Sequence, residues 1–129
     1  MERIRAVSKI FATITGNLFL VLGSLLIGSL AILGSWVPPR GPWVFAMARL
    51  WSVLLLRASL VRVEVRHASQ DNCPLDPGAS YVFLANHQSL FDIPALLATV
   101  PNQVRMMAKR SLFRIPVFGW ALAAGGFIP

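Results

Sequence analysis

The sequence predicts an α/β fold in which N-terminal membrane-associated helices precede the first strands and helices of an α/β domain. Three observations carry this. No charged residue falls between Ile10 and Pro39. From residue 61 onward, short strand-like runs alternate with helix-like ones, the order expected of an α/β domain. Hydrophobic residues make up 56% of the chain and charged residues only 13%, where soluble domains carry ~45–50% and ~25%. A chain of 129 residues fits one small domain, and the charge deficit points to lipid contact. The expected division is a membrane-anchoring helical segment over residues 1–60 and an α/β portion over 61–129.

A helix needs ~20 apolar residues to cross a bilayer core, and the uncharged run from Ile10 is long enough. Thr13, Thr15, Asn17, Ser24, Ser29 and four glycines interrupt it. A secretory signal would have a shorter core, ~7–15 residues, and a small-residue cleavage site. Neither is evident, so the anchor reading is preferred. Arg3, Arg5 and Lys9 against the single acid Glu2 place the N-terminus on the cytoplasmic side. The expected location is the inner (cytoplasmic) membrane, with the site facing the cytoplasm. Trp36-Val37-Pro38-Pro39-Arg40-Gly41-Pro42 then breaks the helix, with Trp36 and Trp43 as interfacial aromatics. Trp43 to Leu60 reads as a second helix whose Arg49, Ser52, Arg57 and Ser59 share a rough arc. One reading lays it in the interface with both arginines reaching headgroups; the other makes it a buried core helix.

Val61-Arg62-Val63-Glu64-Val65-Arg66 alternates apolar and charged residues, the pattern of a half-exposed strand. His67 follows as a surface residue, and Ala68 to Ser80 is a loop rich in turn formers. Tyr81 to Ala85 is a more buried strand, Pro94 to Thr99 a short helix, and Val104 to Ala108 a third strand. Ser111 to Ala124 is helical around Pro116, and Gly126 to Ile128 begins a fourth strand.

Net charge is +7, from twelve Lys and Arg against five acids. The basic residues are scattered between apolar runs, without helix-turn-helix, zinc-ligand or RNP-like patterns, so nucleic acid is not an expected partner. Anionic headgroups and a phosphate-bearing substrate fit better. Cys73, the single cysteine, has no partner for a disulfide or a metal set, and no metal is expected.

The stretch richest in chemistry is Asn86-His87-Gln88-Ser89-Leu90-Phe91-Asp92. It leaves a strand and enters a helix, where α/β folds place their sites. Histidine as a side-chain type gains and loses a proton near neutrality. A carboxylate nearby can fix its tautomer and stabilise the imidazolium. The same spacing also suits a plain helix cap at Asp92 beside a turn histidine. Spacing alone leaves both readings open.

Asn-His-(four residues)-Asp, with Gln88-Ser89 inside it, resembles the first signature block of the glycerolipid acyltransferases, which include the 1-acylglycerol-3-phosphate acyltransferases. Lys109-Arg110-Ser111-Leu112-Phe113-Arg114-Ile115-Pro116-Val117-Phe118-Gly119-Trp120 is similar to the segment that follows in that family, with Lys109, Leu112-Phe113, Pro116 and Gly119 at matching spacing. Gly125-Gly126-Phe127-Ile128-Pro129 looks like the start of the next block. The resemblance covers residues 61 to 129 with three blocks in order.

The resemblance implies transfer of a fatty acyl group from a thioester to the free hydroxyl of a lysophospholipid, most naturally 1-acylglycerol-3-phosphate, giving phosphatidic acid in phospholipid biosynthesis. His87 and Asp92 are the expected catalytic residues, His87 as base and Asp92 holding its other ring nitrogen. Asn86, Ser89, Lys109, Arg110 and Arg114 are the expected substrate contacts. Ser89 lacks a nucleophile elbow, which makes its hydroxyl a turn or capping group rather than an acyl carrier. Lys109, Arg110 and Arg114 suit either a substrate phosphate or anionic lipid. Leu112, Phe113, Val117, Phe118 and Trp120 suit either an acyl path or plain core. No cofactor is expected; acyl-coenzyme A or acyl carrier protein is the co-substrate, and the bilayer and the lysophospholipid are the other partners. The sequence ends before the family's phosphate-holding arginine and its Glu-Gly-Thr-Arg-like block. The expectation is the N-terminal half of such a domain, with an inactive fragment that binds only lipid or a partner as the alternative. A small membrane protein with no enzymatic role is a third possibility, disfavoured by the ordered blocks.

Overall fold

A computed structural model describes residues 2–37, 40–66, 75–76 and 78–129. His67, Cys73, the Pro38-Pro39 break and most of the 68–80 loop lie outside the described residues. The elements are α1 (Glu2–Gly34), α2 (Arg40–Ala58), α3 (Asp92–Thr99), a 3-10 turn over Arg110–Arg114, and α4 (Phe118–Ala124).

Helix α1 has 33 residues and so runs ~50 Å at 1.5 Å per residue. Its stretch Ala6–Gly34 is long and apolar enough to cross a membrane. The polar residues within it do not break it, because most return their hydroxyl protons to the helix itself. Thr13 donates to Lys9 O at 2.9 Å, Ser29 to Leu25 O at 2.7 Å, and Ser24 to Leu20 O. An apolar helix that satisfies its own hydroxyls can face lipid. Phe11, Leu18, Val21, Leu22, Leu26 and Leu33 are all exposed along it.

Helix α2 folds back on α1 as a helical hairpin. Small residues let the two approach: a Cβ on Gly16 would collide with Ser59 and one on Gly34 with Trp43. Three polar contacts fasten the pair. The Thr15 hydroxyl lies 2.6 Å from Ala58 O, Trp51 Nε1 donates to Ser24 Oγ at 3.0 Å, and Trp43 Nε1 donates to Leu30 O at 3.1 Å. Ile27, Ala31, Val44, Leu55 and Leu56 form the apolar seam, and Ser52 is fully buried with its hydroxyl on Ala48 O.

The expectation that both arginines of α2 reach headgroups is corrected at Arg49. The polar arc of that helix turns inward at Ser52 and, as described below, at Arg49, because α3 and α4 also pack on it. Only Arg57 of that arc's arginines is exposed.

The α/β expectation is not met among the described residues, which contain helices and no strand. Residues 61–66 and 81–89 have no regular secondary structure and carry no ladder; Val82 is 90% and Leu84 95% exposed. Alternation orients side chains to two faces, but a strand stands only on hydrogen bonds to a neighbour, and these two have none here. What exists of a sheet is one parallel bridge between Met107 and Ile128. Ala108 N–H donates to Ile128 O at 2.8 Å and Ile128 N–H to Met106 O at 3.1 Å. It joins the third and fourth expected strands in parallel.

Between those segments the expected single helix is split at Pro116 into the 3-10 turn and α4. Val117 bridges them with φ 64° and ψ −58°, and Phe118 N–H bonds Pro116 O at 2.7 Å. That is a γ-turn, rare for a β-branched residue. The Val117 side chain sits where Gly28 leaves a notch in α1, so the strained turn is seated against the hairpin. Gly119 is buried, and a Cβ there would run into the backbone carbonyl of Phe113. The glycine is what lets α4 close on the 3-10 turn.

Candidate active site

The run 81–89, which has no regular secondary structure, delivers His87 to the start of α3. Pro94 is fully buried in that helix's first turn, where its missing N–H costs nothing. Asp92 is the first helical residue, and Phe91 occupies the cap position without a side-chain cap bond.

The direction of the Asp92 carboxylate separates the two readings of the motif. A capping side chain accepts from amides one turn ahead. Asp92 instead reaches backwards: its Oδ2 accepts from Gln88 N–H at 2.7 Å and Ser89 N–H at 2.8 Å, and lies 3.1 Å from His87 Nδ1. One oxygen thus ties the loop to the helix and meets the imidazole. The amides of Ser89 and Gln88, and then His87, hold the Asp92 carboxyl below its ordinary value. An ionised carboxylate can only accept, so Nδ1 carries the proton in neutral His87 and Nε2 keeps the free lone pair. The His87 side chain is 63% exposed, which leaves Nε2 open to an incoming group.

Ser89 contributes through its hydroxyl, which accepts from Phe91 N–H at 3.2 Å. It is a turn hydroxyl, as its surroundings in the sequence imply. Asn86 is exposed in the run that precedes His87. Lys109, Arg110 and Arg114 gather on the 3-10 turn just past the parallel bridge, and all three are exposed. Among the described residues no hydrogen bond or ion pair joins them to the His87 loop. The structure brings His87, Ser89 and Asp92 together and leaves the basic cluster on a separate element.

Leu112, Phe113, Val117 and Phe118 are half-buried, with the Phe118 ring 6.3 Å from that of Trp51, while Trp120 is 61% exposed. Phe118 packs on α2 and Val117 on α1, while Leu112 and Phe113 belong to the 3-10 turn, which packs on α4. A concavity lined by Ser35, Trp36, Ala123 and Ala124 lies where α1 ends against α4, and none of the motif residues lines it. Among the described residues no three His, Cys, Asp or Glu side chains gather as a metal set.

Sequence reasoning missed Arg49. Its Nε donates to Leu97 O at 3.2 Å, its Nη2 donates to Val100 O, and its guanidinium lies 5.4 Å from the Phe45 ring centroid. A signal was available. The Leu97 carbonyl would ordinarily pair with the amide four residues on, and that residue is Pro101, which has none.

This geometry, a carboxylate-held histidine at the mouth of a helix, is one that general-base chemistry can use. The family described as Acyltransferase matches residues 61–129, and the chain belongs to it. Curated relatives agree. A chloroplastic 1-acyl-sn-glycerol-3-phosphate acyltransferase of Arabidopsis thaliana is 29% identical over 93 residues, covering 71% of this chain and 24% of its own. The 1-acyl-sn-glycerol-3-phosphate acyltransferase of Saccharomyces cerevisiae is 33% identical over 67 residues, 52% of this chain and 21% of its own. A chloroplastic enzyme of the same description from Brassica napus is 40% identical over 48 residues, 37% of this chain and 14% of its own. The chain spans about a quarter or less of the length of these relatives. No solved structure matches it.

Proposed function

We propose that this chain carries the base-bearing part of a membrane-associated enzyme that moves a fatty acyl group from a thioester to the hydroxyl of 1-acylglycerol-3-phosphate. The observation that carries the reading is the 3.1 Å approach of Asp92 Oδ2 to His87 Nδ1, which leaves Nε2 as the free base. Membership of the acyltransferase family and the descriptions of its relatives support the reaction class and the acceptor.

In this mechanism His87 Nε2 takes the proton of the acceptor hydroxyl as that oxygen attacks the thioester carbonyl. Asp92 stabilises the imidazolium that results. The tetrahedral intermediate then collapses, the carbon–sulfur bond breaks, and the proton on Nε2 passes to the departing thiolate. Ester and thiol are the products, and no acyl group is held by the protein. General base catalysis of this kind contributes ~10²–10⁴-fold. The acyl donor is acyl-coenzyme A or acyl carrier protein.

Lys109, Arg110 and Arg114 supply positive charge for the phosphate of the acceptor, with Asn86 and Ser89 lining the approach to His87. The α1–α2 hairpin, residues 1–60, holds the site at the membrane where both lipids reside. The exposed apolar side of α1 supports this.

The test is acyl transfer from radiolabelled oleoyl-coenzyme A to lysophosphatidic acid in proteoliposomes, using the protein as its gene encodes it, whether that ends at Pro129 or continues. Phosphatidic acid formation that depends on His87 supports the reading. Tight lipid binding with no transfer from any thioester would replace it with a lipid-binding role.

A further inference from the structure

We propose that Arg49 is a positioning residue that fixes the height of His87 relative to the membrane by gripping the far end of α3. This rests on the reading that residues 1–60 sit in the membrane and that His87 is the base.

Helix α3 has eight residues and is held at both ends. At its start, Asp92 ties the His87 loop through three contacts on one oxygen. At its finish, Arg49 reaches across from α2 to Leu97 O and Val100 O. A helix leaves its last carbonyls without partners and concentrates negative potential there, so a guanidinium is the natural cap. Here the need is sharper, because Pro101 removes the amide that Leu97 O would otherwise accept. Arginine suits the task better than lysine, since its fork serves two carbonyls at once. The guanidinium is itself oriented by the Phe45 ring beneath it, and the buried Pro94 and Leu97 seat α3 on the same surface.

Arg49 belongs to α2, the helix clasped to α1, whereas His87 belongs to the family domain. A rigid helix ~12 Å long therefore links the hairpin to the base. Losing the grip at one end frees the other to tilt, and misplacement of a reacting group by ~1 Å can cost ~10²-fold.

The test compares wild type, Arg49→Met and Arg49→Lys in proteoliposomes. Each is assayed with a long-chain lysophosphatidic acid held in the bilayer and with a short-chain one dissolved in water. Separately, a spin label at Leu90→Cys, with Cys73→Ser, reports the depth of the His87 loop below the headgroups. The expected result for Arg49→Met is a fall of ~10–10²-fold in kcat/KM for the bilayer acceptor, a much smaller fall for the soluble one, and a changed label depth. Arg49→Lys restores depth and rate in part. Equal losses on both acceptors with unchanged depth, or wild-type depth and rates in Arg49→Met, overturn the proposal. If wild type transfers nothing, the reading of the reaction fails, while the label depth still decides whether Arg49 positions the loop.

Discussion

Replacing Asp92 discriminates between the ways a carboxylate can serve a histidine. In a pair where the carboxylate meets only the imidazole, Asn in its place lets the amide turn and trap the wrong tautomer, at a cost of ~10⁴-fold. Here the same oxygen also receives the amides of Gln88 and Ser89 at 2.7 and 2.8 Å. Those two fixed donors force the carboxamide oxygen, not its NH₂, into the shared position. His87 Nδ1–H keeps an acceptor and the tautomer survives. What Asp92→Asn loses is the negative charge that stabilises the imidazolium, and partial exposure of the pair already screens some of that. The expected fall in kcat is ~10–10²-fold, well short of the full base contribution. Asp92→Ala removes the acceptor for all three donors and lets the loop leave the helix, so it approaches the ~10²–10⁴-fold of losing the base. The assay is steady-state phosphatidic acid formation, with circular dichroism to show that the helices persist. Asp92→Asn as damaging as Asp92→Ala, or Asp92→Ala at near wild-type rate, would refute the reasoning.

Other outcomes follow from the same contacts. The Asp92 carboxyl is held below its ordinary value by the Ser89 and Gln88 amides and by His87, so its tie on the loop is complete above the ordinary carboxylate range. It is lost only as pH falls through the lowered value. The Gln88 and Ser89 amides should therefore stay protected from hydrogen exchange as long as Asp92 is ionised and lose protection only as pH falls through its lowered value; loss of protection at neutral pH would mean that Asp92 does not hold them. Gly119→Ala puts a methyl against the Phe113 carbonyl and should cost ~1–3 kcal/mol, read as a Tm lower by several degrees in detergent. An unchanged Tm would mean that α4 and the 3-10 turn separate freely. Membrane fractions washed with about 1 M salt should retain the chain, since salt screens headgroup attraction and not apolar insertion; release by salt alone would exclude anchoring by α1.

Helix α1 was legible because absence of charge over thirty consecutive positions is a signal no tertiary contact can alter. The His87–Asp92 pairing was legible as a spacing. Its meaning was not, because a cap and an imidazole partner occupy the same place in sequence and differ only in the direction of the carboxylate. Arg49 escaped for a related reason. An arginine on an apolar helix suggests a headgroup, and only the position of α3 shows that two carbonyls, one orphaned by Pro101, were the true destination. The strands at 61–66 and 81–85 illustrate the opposite error. Alternation and β-branched content express a preference for extension, but pairing depends on a neighbour that the pattern cannot name. Among the described residues, the Met107–Ile128 bridge is the one place where two such runs meet. Gly119 became intelligible only once Phe113 was seen to lie against it.

The central claim, that His87 is the base, is tested most directly by a single-turnover measurement in proteoliposomes. His87→Ala and wild type are each saturated with oleoyl-coenzyme A and lysophosphatidic acid, after flotation has shown equal membrane binding. A fall of ~10²-fold or more in the His87→Ala transfer rate, with lysophosphatidic acid affinity unchanged, is the predicted result. Transfer at an undiminished rate would contradict it, leaving the Asn86–Asp92 motif as a strand-to-helix turn and nothing more.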